Sequence, residues 1–200
     1  MRKNLLPIKD LITFVTSKQC GLECALEKLD LVDTPKVAAQ QVHGNRIAIV
    51  TETTTQIVPE VDGLITNLSG VLLQIKAADC MPILIYHEKP YIVAALHSGR
   101  IGTETNILGE AFKIIKKTYG VTEDFKIWFG PAICESCYQI DRELDLHYNM
   151  LKKNKKHLEE SGITYELFID ERCTSCNNDK LYSWRKEKEF SRIFSAIGTI

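Results

Sequence analysis

The sequence predicts one domain of mixed strands and helices, an α+β class of chain, and three observations carry that expectation. Two hundred residues suffice to bury a substantial core within a single domain. Between residues 71 and 96 the longer runs are apolar almost throughout, as expected of central strands covered on both faces. From about residue 103 to residue 119 the apolar positions instead recur at helical spacing, with matching end signals. No repeat, linker or low-complexity tract interrupts residues 1–200, so a single domain over that range is expected.

Taken in order, residues 11–16 (LITFVT) read as a short strand and residues 21–31 as a weakly helical piece. Residues 36–42 and 46–52 are β-rich runs flanking His43-Gly44-Asn45. That spacing predicts a strand, a sharp turn with His43 at the bend, and a second strand. Residues 62–67, 71–78 and 81–86 follow as strands, and 91–96 returns after a turn containing Pro90. In the helix over 103–119, Ile107, Ala111, Ile114 and Ile115 form the apolar stripe. Glu104 lies in its first turn, Lys116 and Lys117 in its last, and Gly120 follows as the residue that ends it. Residues 125–133 read as a strand ending at Gly130-Pro131, residues 141–161 as a helix closed by Gly162, and residues 165–170 as a late strand. Residues 193–200 fit a final strand or a helix equally well.

Composition narrows the partners. A net charge of −1 supplies no basic field for nucleic acid. The lysines at 152, 153, 155 and 156 have no interleaved aromatics and read as a solvated helix face. The amino terminus lacks the apolar stretch of a signal peptide, and no run approaches the ~20 apolar residues of a bilayer span. A cytoplasmic protein with no membrane partner is expected. In that reducing setting seven cysteines are thiols, metal ligands or buried apolar groups in preference to disulfides, with Cys20 and Cys24 as packing residues.

Three residues stand at the ends of β-like runs beside small or turn-forming neighbours: His43, Cys80 and His97. Two imidazoles and a thiolate bind zinc while leaving a fourth position open, the arrangement of a catalytic site. Asp62 and Asp79 are candidates to orient a ligand or act as general base. Without a metal, Cys80 as nucleophile and His97 as base would make a cysteine hydrolase. The plainest alternative is a buried thiol and two locally satisfied histidines. Gly99 and Gly102 lead into a helix start at Thr103, where an anion could dock with Arg100 supplying charge, or which is an ordinary strand-to-helix turn. The pairs Cys134/Cys137 and Cys173/Cys176 suit a closed zinc site, but the stretch between Cys137 and Cys173 exceeds the usual zinc-ribbon loop and contains a long helix, so four separate thiols are the expectation.

Five blocks occur in a telling order: Gln41-Val-His43-Gly44, Ala78-Asp79-Cys80-Met81-Pro82, His97-Ser98-Gly99, Gly130-Pro131-Ala132-Ile133 through Cys137-Tyr138, and Cys173-Thr174 through Tyr182-Ser183-Trp184-Arg185. Together they resemble the YfiH-like family, also called the laccase-domain or polyphenol-oxidase family, over roughly residues 36–200. The resemblance implies a mixed-sheet α/β/β/α sandwich of the cytotoxic-necrotising-factor type, with zinc on His43, Cys80 and His97. It implies a purine nucleoside phosphorylase taking phosphate and adenosine, inosine, guanosine or methylthioadenosine; some members also deaminate adenosine. Gln41, Asp79, Arg100 and Arg185 become the substrate-side residues, a fixed guanidinium at Arg185 suiting phosphate or ribose, with Tyr138 or Trp184 available to stack on a purine. One block departs: where the family reads H-A-G-W-R-G, this chain has His97-Ser98-Gly99-Arg100-Ile101-Gly102. A copper-dependent polyphenol oxidase is the other metal reading, with Met81 added to the His₂Cys set. It is disfavoured because a multicopper enzyme needs a further histidine-rich centre, and only three of the five histidines remain.

Overall fold

The computed structural model describes residues 1–199. In chain order the first half runs β1 (Arg2–Lys3), β2 (Ile12–Val15), α1 (Leu22–Lys28), β3 (Lys36–Ala39), β4 (Ile47–Ile49), β5 (Gln56–Val58), β6 (Gly63–Thr66), β7 (Val71–Ala77), β8 (Met81–His87) and β9 (Ile92–Ser98). The second half runs α2 (Arg100–Glu104), α3 (Ile107–Tyr119), β10 (Phe125–Phe129), β11 (Gln139–Asp141), β12 (Leu146–His147), α4 (Met150–Glu159), β13 (Tyr165–Ile169), α5 (Trp184–Glu187) and β14 (Ile193–Thr199).

Two mixed sheets form, in the orders β1-β2-β14-β7-β3-β5 and β13-β10-β8-β9-β6-β4. Strand periodicity explains how they stack. On β8, Leu84 and Tyr86 face β7 and β14 in one core, while Ile83 and Ile85 face α3 and α4 in another. On the outer face of the first sheet, Phe14, Leu72 and Ala196 pack on Ala25 and Leu26 of α1. The layers are therefore helix, sheet, sheet, helix, the α/β/β/α sandwich that the family resemblance implied. β7, β8 and β9 are the apolar runs of the sequence and are buried on both faces, although β7 lies in one sheet and β8 and β9 in the other.

Three expectations change. The helix expected over 103–119 is two helices, because Asn106 takes a left-handed φ of 56° and its side chain accepts the Gly109 N–H to cap α3. Asparagine tolerates that conformation and caps well, so a break costs little there. The helix expected from residue 141 begins only at Met150. Ahead of it the Asp141 carboxylate accepts the Glu143 and Leu144 N–H groups in a side-chain-closed turn, and β11 and β12 pair around it. The strand expected to end at Gly130-Pro131 does so, with Phe129 as its last residue. Cys20 and Cys24, expected as packing residues, form a disulfide at the start of α1. The ambiguous carboxy-terminal piece is a strand, inserted between β2 and β7; Ile200 lies outside the described residues. No helix among the described residues is long and apolar enough to cross a membrane.

Candidate metal centre and its pocket

His43, Cys80 and His97 come from three different places. The chain leaves β3 in one sheet and crosses to β4 in the other, and the crossing turn carries His43 with a φ of 64°. The expected strand–turn–strand is present, but its strands belong to different sheets. Cys80 sits in the short link between β7 and β8, and His97 near the end of β9. Their donor atoms all lie within 4.8 Å of one another, and the two imidazole rings meet edge to face with centroids 4.9 Å apart. His97 is buried, Cys80 half-buried and His43 exposed, so the set opens to solvent through His43.

Asp62 holds this arrangement. Fully buried just before β6, its carboxylate accepts backbone N–H groups from Val42 (3.2 Å), His43 (2.9 Å) and Gly44 (2.7 Å), and the Nδ1–H of His97 (2.8 Å). One side chain thus stabilises the left-handed turn at His43 and turns the Nε2 of His97 toward the cluster, the usual office of a carboxylate behind a ligating histidine. Burial pushes Asp62 up, but the His97 hydrogen bond and those N–H donors outweigh it and hold the carboxyl below its ordinary value. Burial likewise opposes charge on Cys80, yet the neighbouring His97 charge and hydrogen bonds from His43 and His97 bring the thiol down to about 6. His97 moves the other way: the Cys80 charge and the Asp62 bond overcome burial and raise it to about 9. A thiolate against an imidazolium is the metal-free form of this cluster, and a cation would satisfy the same thiolate in place of the proton.

Two glycines are required by close approach. A Cβ on Gly99 would lie 3.1 Å from Cys80 Sγ and 3.5 Å from His43 Cδ2, so Gly99 floors the cluster. A Cβ on Gly102 would meet the Gly44 carbonyl oxygen at 2.6 Å, so Gly102 lets α2 pack on the His43 turn. The helix starts at Arg100, with Gly99 as its capping residue, and not at Thr103. Thr103 is buried, with its hydroxyl bonded to Ser98, so of the two readings of this turn the ordinary strand-to-helix turn fits Thr103 better than an anion dock.

The cluster lies in a cavity of about 990 Å³. Lys76, Arg100, Arg185 and Arg192 bring four cations to its wall, and Tyr138, Trp184 and Phe190 bring aromatic faces. Arg100 and Ile101, which replace tryptophan and arginine of the family block, both line it, so a guanidinium reaches the cavity from one residue earlier. Arg185 lies over the Tyr138 ring, 5.3 Å from its centroid. Asp79 also lines the cavity, but it is nearly buried and both carboxylate oxygens are taken, by the Thr174 hydroxyl and the Arg185 N–H, each at 2.6 Å. Gln41 is similarly committed: its amide accepts the Lys76 N–H and donates to the Lys76 carbonyl, prolonging β3 along β7. Sequence reasoning missed Lys76 and Arg192. Lys76 had a signal, being the one charged residue within the apolar run 71–78; Arg192 had none.

Met81, the extra ligand of the copper reading, points elsewhere. It is buried among the helix-side core residues, with its sulfur 3.8 Å from the Asn154 amide. His87, His147 and His157 bond separately to the carbonyls of Pro90, Glu135 and Thr103. Among the described residues no histidine-rich second cluster exists; the other possible metal set is four cysteines.

Comparison with known proteins agrees with this geometry. The sequence profile described as multi-copper polyphenol oxidoreductase laccase matches residues 22–151 and 143–200. A purine nucleoside phosphorylase of Campylobacter jejuni is 26% identical over 94% of this chain and 96% of its own length. One from Staphylococcus epidermidis is 31% identical over 79% of this chain and 70% of its own. The crystal structure of YlmD from Geobacillus stearothermophilus superposes with a TM-score of 0.87 at 24% identity, covering 96% of this chain and 93% of that one. YfiH of Bacillus licheniformis does so at 0.82 and 20% identity, covering 95% and 93%. The chain therefore belongs to the YfiH-like, laccase-domain family.

Proposed function

We propose that this chain is a zinc-dependent purine nucleoside phosphorylase, acting as one catalytic unit over residues 1–200 in the cytoplasm. The observation that carries the reading is the pairing of an open His43/Cys80/His97 donor set with a cavity wall of four cations and three aromatic rings. The purine nucleoside phosphorylase names of its relatives support it.

The donor chemistry fits zinc: one thiolate, two imidazoles, one of them oriented by a carboxylate, and a fourth side facing the cavity. A bound zinc would supply Lewis acidity beside the reacting groups. The remaining work falls to the chain. Phosphorolysis builds positive character on the anomeric carbon of the ribose, so the attacking phosphate must be held close and in line. Arg185 is the best-placed anchor: its backbone is tied to Asp79 and its guanidinium rests on Tyr138. Arg100 lines the same cavity and makes a long ion pair with Glu104, at 3.5 Å. Lys76 and Arg192 add positive potential, while Trp184 and Tyr138 offer faces for the purine. In this reading Gln41 and Asp79 position the wall, and Asp62 positions His97 and the His43 turn.

The test is phosphate-dependent release of base from adenosine, inosine, guanosine and methylthioadenosine by zinc-loaded protein, alongside His43→Ala. Base release that requires phosphate and falls with His43→Ala supports the assignment. Zinc-loaded protein that releases base from none of the four nucleosides overturns it. Ammonia formed from adenosine in the same assay reads out a deaminase activity directly. The thiolate–imidazolium pair of Cys80 and His97 favours one second reading, a cysteine hydrolase; activity that survives complete chelation would select it.

A further inference from the structure

The four cysteines outside the pocket are brought together by the sheet. β10 and β13 are parallel neighbours, in register from Phe125↔Tyr165 to Phe129↔Ile169. The chains leaving their common end stay paired through one more bridge, Ala132↔Cys173. Each then delivers one C-x-x-C turn to the same place, so the sequence separation of the two pairs is irrelevant in space. The sulfurs of Cys134, Cys137, Cys173 and Cys176 all lie within 4.8 Å of one another, and those of Cys137 and Cys176 are 3.6 Å apart. A tetrahedral zinc ion with Zn–S bonds of about 2.3 Å needs sulfurs about 3.8 Å apart, so little movement separates this arrangement from a ligand set.

Two further details favour a metal. Cys173 Sγ accepts backbone N–H groups from Cys134 (3.3 Å) and Cys176 (3.4 Å), donors that stabilise charge on a thiolate. All four sulfurs are free, whereas Cys20 and Cys24 are joined. Four thiolates this close repel one another unless a cation sits between them.

We propose that Cys134, Cys137, Cys173 and Cys176 bind a structural zinc ion that clips the loop after β10 to the loop after β13. The four thiols give up their protons and the ion takes a closed tetrahedral S₄ site, with no position left for substrate. The clip bears on the pocket mechanically. Ile133 and Tyr138 on the first loop line the cavity, and Thr174 on the second loop donates to Asp79, which in turn holds Arg185. The inference uses none of His43, Cys80 and His97, and stands apart from the nucleoside reading.

The experiment measures metal in the full-length protein. Cys137→Ser/Cys176→Ser is expected to carry one zinc fewer per chain than wild type, and His43→Ala/Cys80→Ala to retain that zinc. Cobalt-loaded His43→Ala/Cys80→Ala is expected to show the intense thiolate-to-cobalt absorption of a four-sulfur tetrahedral site. Equal zinc in wild type and the double serine variant overturns the proposal, as does iron in place of zinc. If the serine variant does not fold, the His43→Ala/Cys80→Ala protein decides alone: one zinc supports the site, none refutes it.

Discussion

Cys80 and Cys173 sit in two sulfur sites that differ in what surrounds the donors. Around Cys80 are three donors from three separate segments, drawn from both sheets, with an open side facing a cationic cavity. Around Cys173 are four thiols on two loops that leave the same end of one parallel strand pair. The first set leaves a position for chemistry; the second leaves none and ties loops together. The electrostatics follow. Cys80 has a neighbouring imidazole to balance its charge and is drawn down to about 6, chiefly by His97 acting against burial. Cys173 is pushed up by burial, while at Cys134 burial is outweighed by hydrogen bonds with Ser136 and Cys173 and the thiol comes down to about 7, so the cluster favours one thiolate and in our proposal a cation holds all four.

Removing a donor from the open site should have the largest effect. His43→Ala is expected to lower kcat/KM for phosphorolysis by more than about 100-fold, beyond the range for an orienting partner, while leaving the four-cysteine zinc in place. Steady-state kinetics with metal analysis checks both halves. Asp62→Asn should cost roughly 10–100-fold in zinc affinity or activity, since it weakens the acceptor for His97 and the His43 turn together. If it left zinc affinity unchanged, Asp62 would not be the organiser of the open site.

The closed site should answer in stability. Cys137→Ser/Cys176→Ser should lower the melting temperature by several degrees or more, each kcal/mol being worth roughly 2–4 °C at this chain length. Arg100→Ala should raise the KM for phosphate about five- to tenfold with little change in kcat, the loss of one solvent-accessible charge-assisted contact. The mildest test uses no substitution. In metal-free protein, the rate of Cys80 alkylation should rise with pH and be half-maximal near 6, because a lowered thiol pKa puts the thiolate above that value. Cys173, raised instead of lowered, should stay unreactive over the same range. Equal profiles would erase the distinction between the two sites.

Much of the fold was legible because its signals are local. The near-continuous apolar runs of β7, β8 and β9, and the αL glycine ending α3, follow from neighbouring residues alone. Two breaks hid in single polar residues that cap or turn the chain, Asn106 and Asp141, whose effect depends on one side-chain hydrogen bond in the first case and two in the second. The members of the open site were legible as three residues at strand ends and through the family blocks. Their joint dependence on Asp62 was not, because a carboxylate bonding three successive N–H groups and an imidazole is a tertiary arrangement.

By itself, the sequence determined which residues are equipped for chemistry: the strand-end cysteine and histidines, two C-x-x-C pairs, and the glycines that let backbones meet. Tertiary structure alone decided which of them meet. The stretch between Cys137 and Cys173 argued against a shared site, yet the parallel pairing of β10 and β13 cancels that separation. Asp79 and Gln41, read as substrate contacts, spend their polar atoms on Thr174, Arg185 and Lys76, while Lys76 and Arg192 join the cavity wall unannounced. The physical reason is the same throughout: hydrophobic periodicity and turn chemistry act over a few residues, but sheet order and register set distances between segments that are remote in the chain.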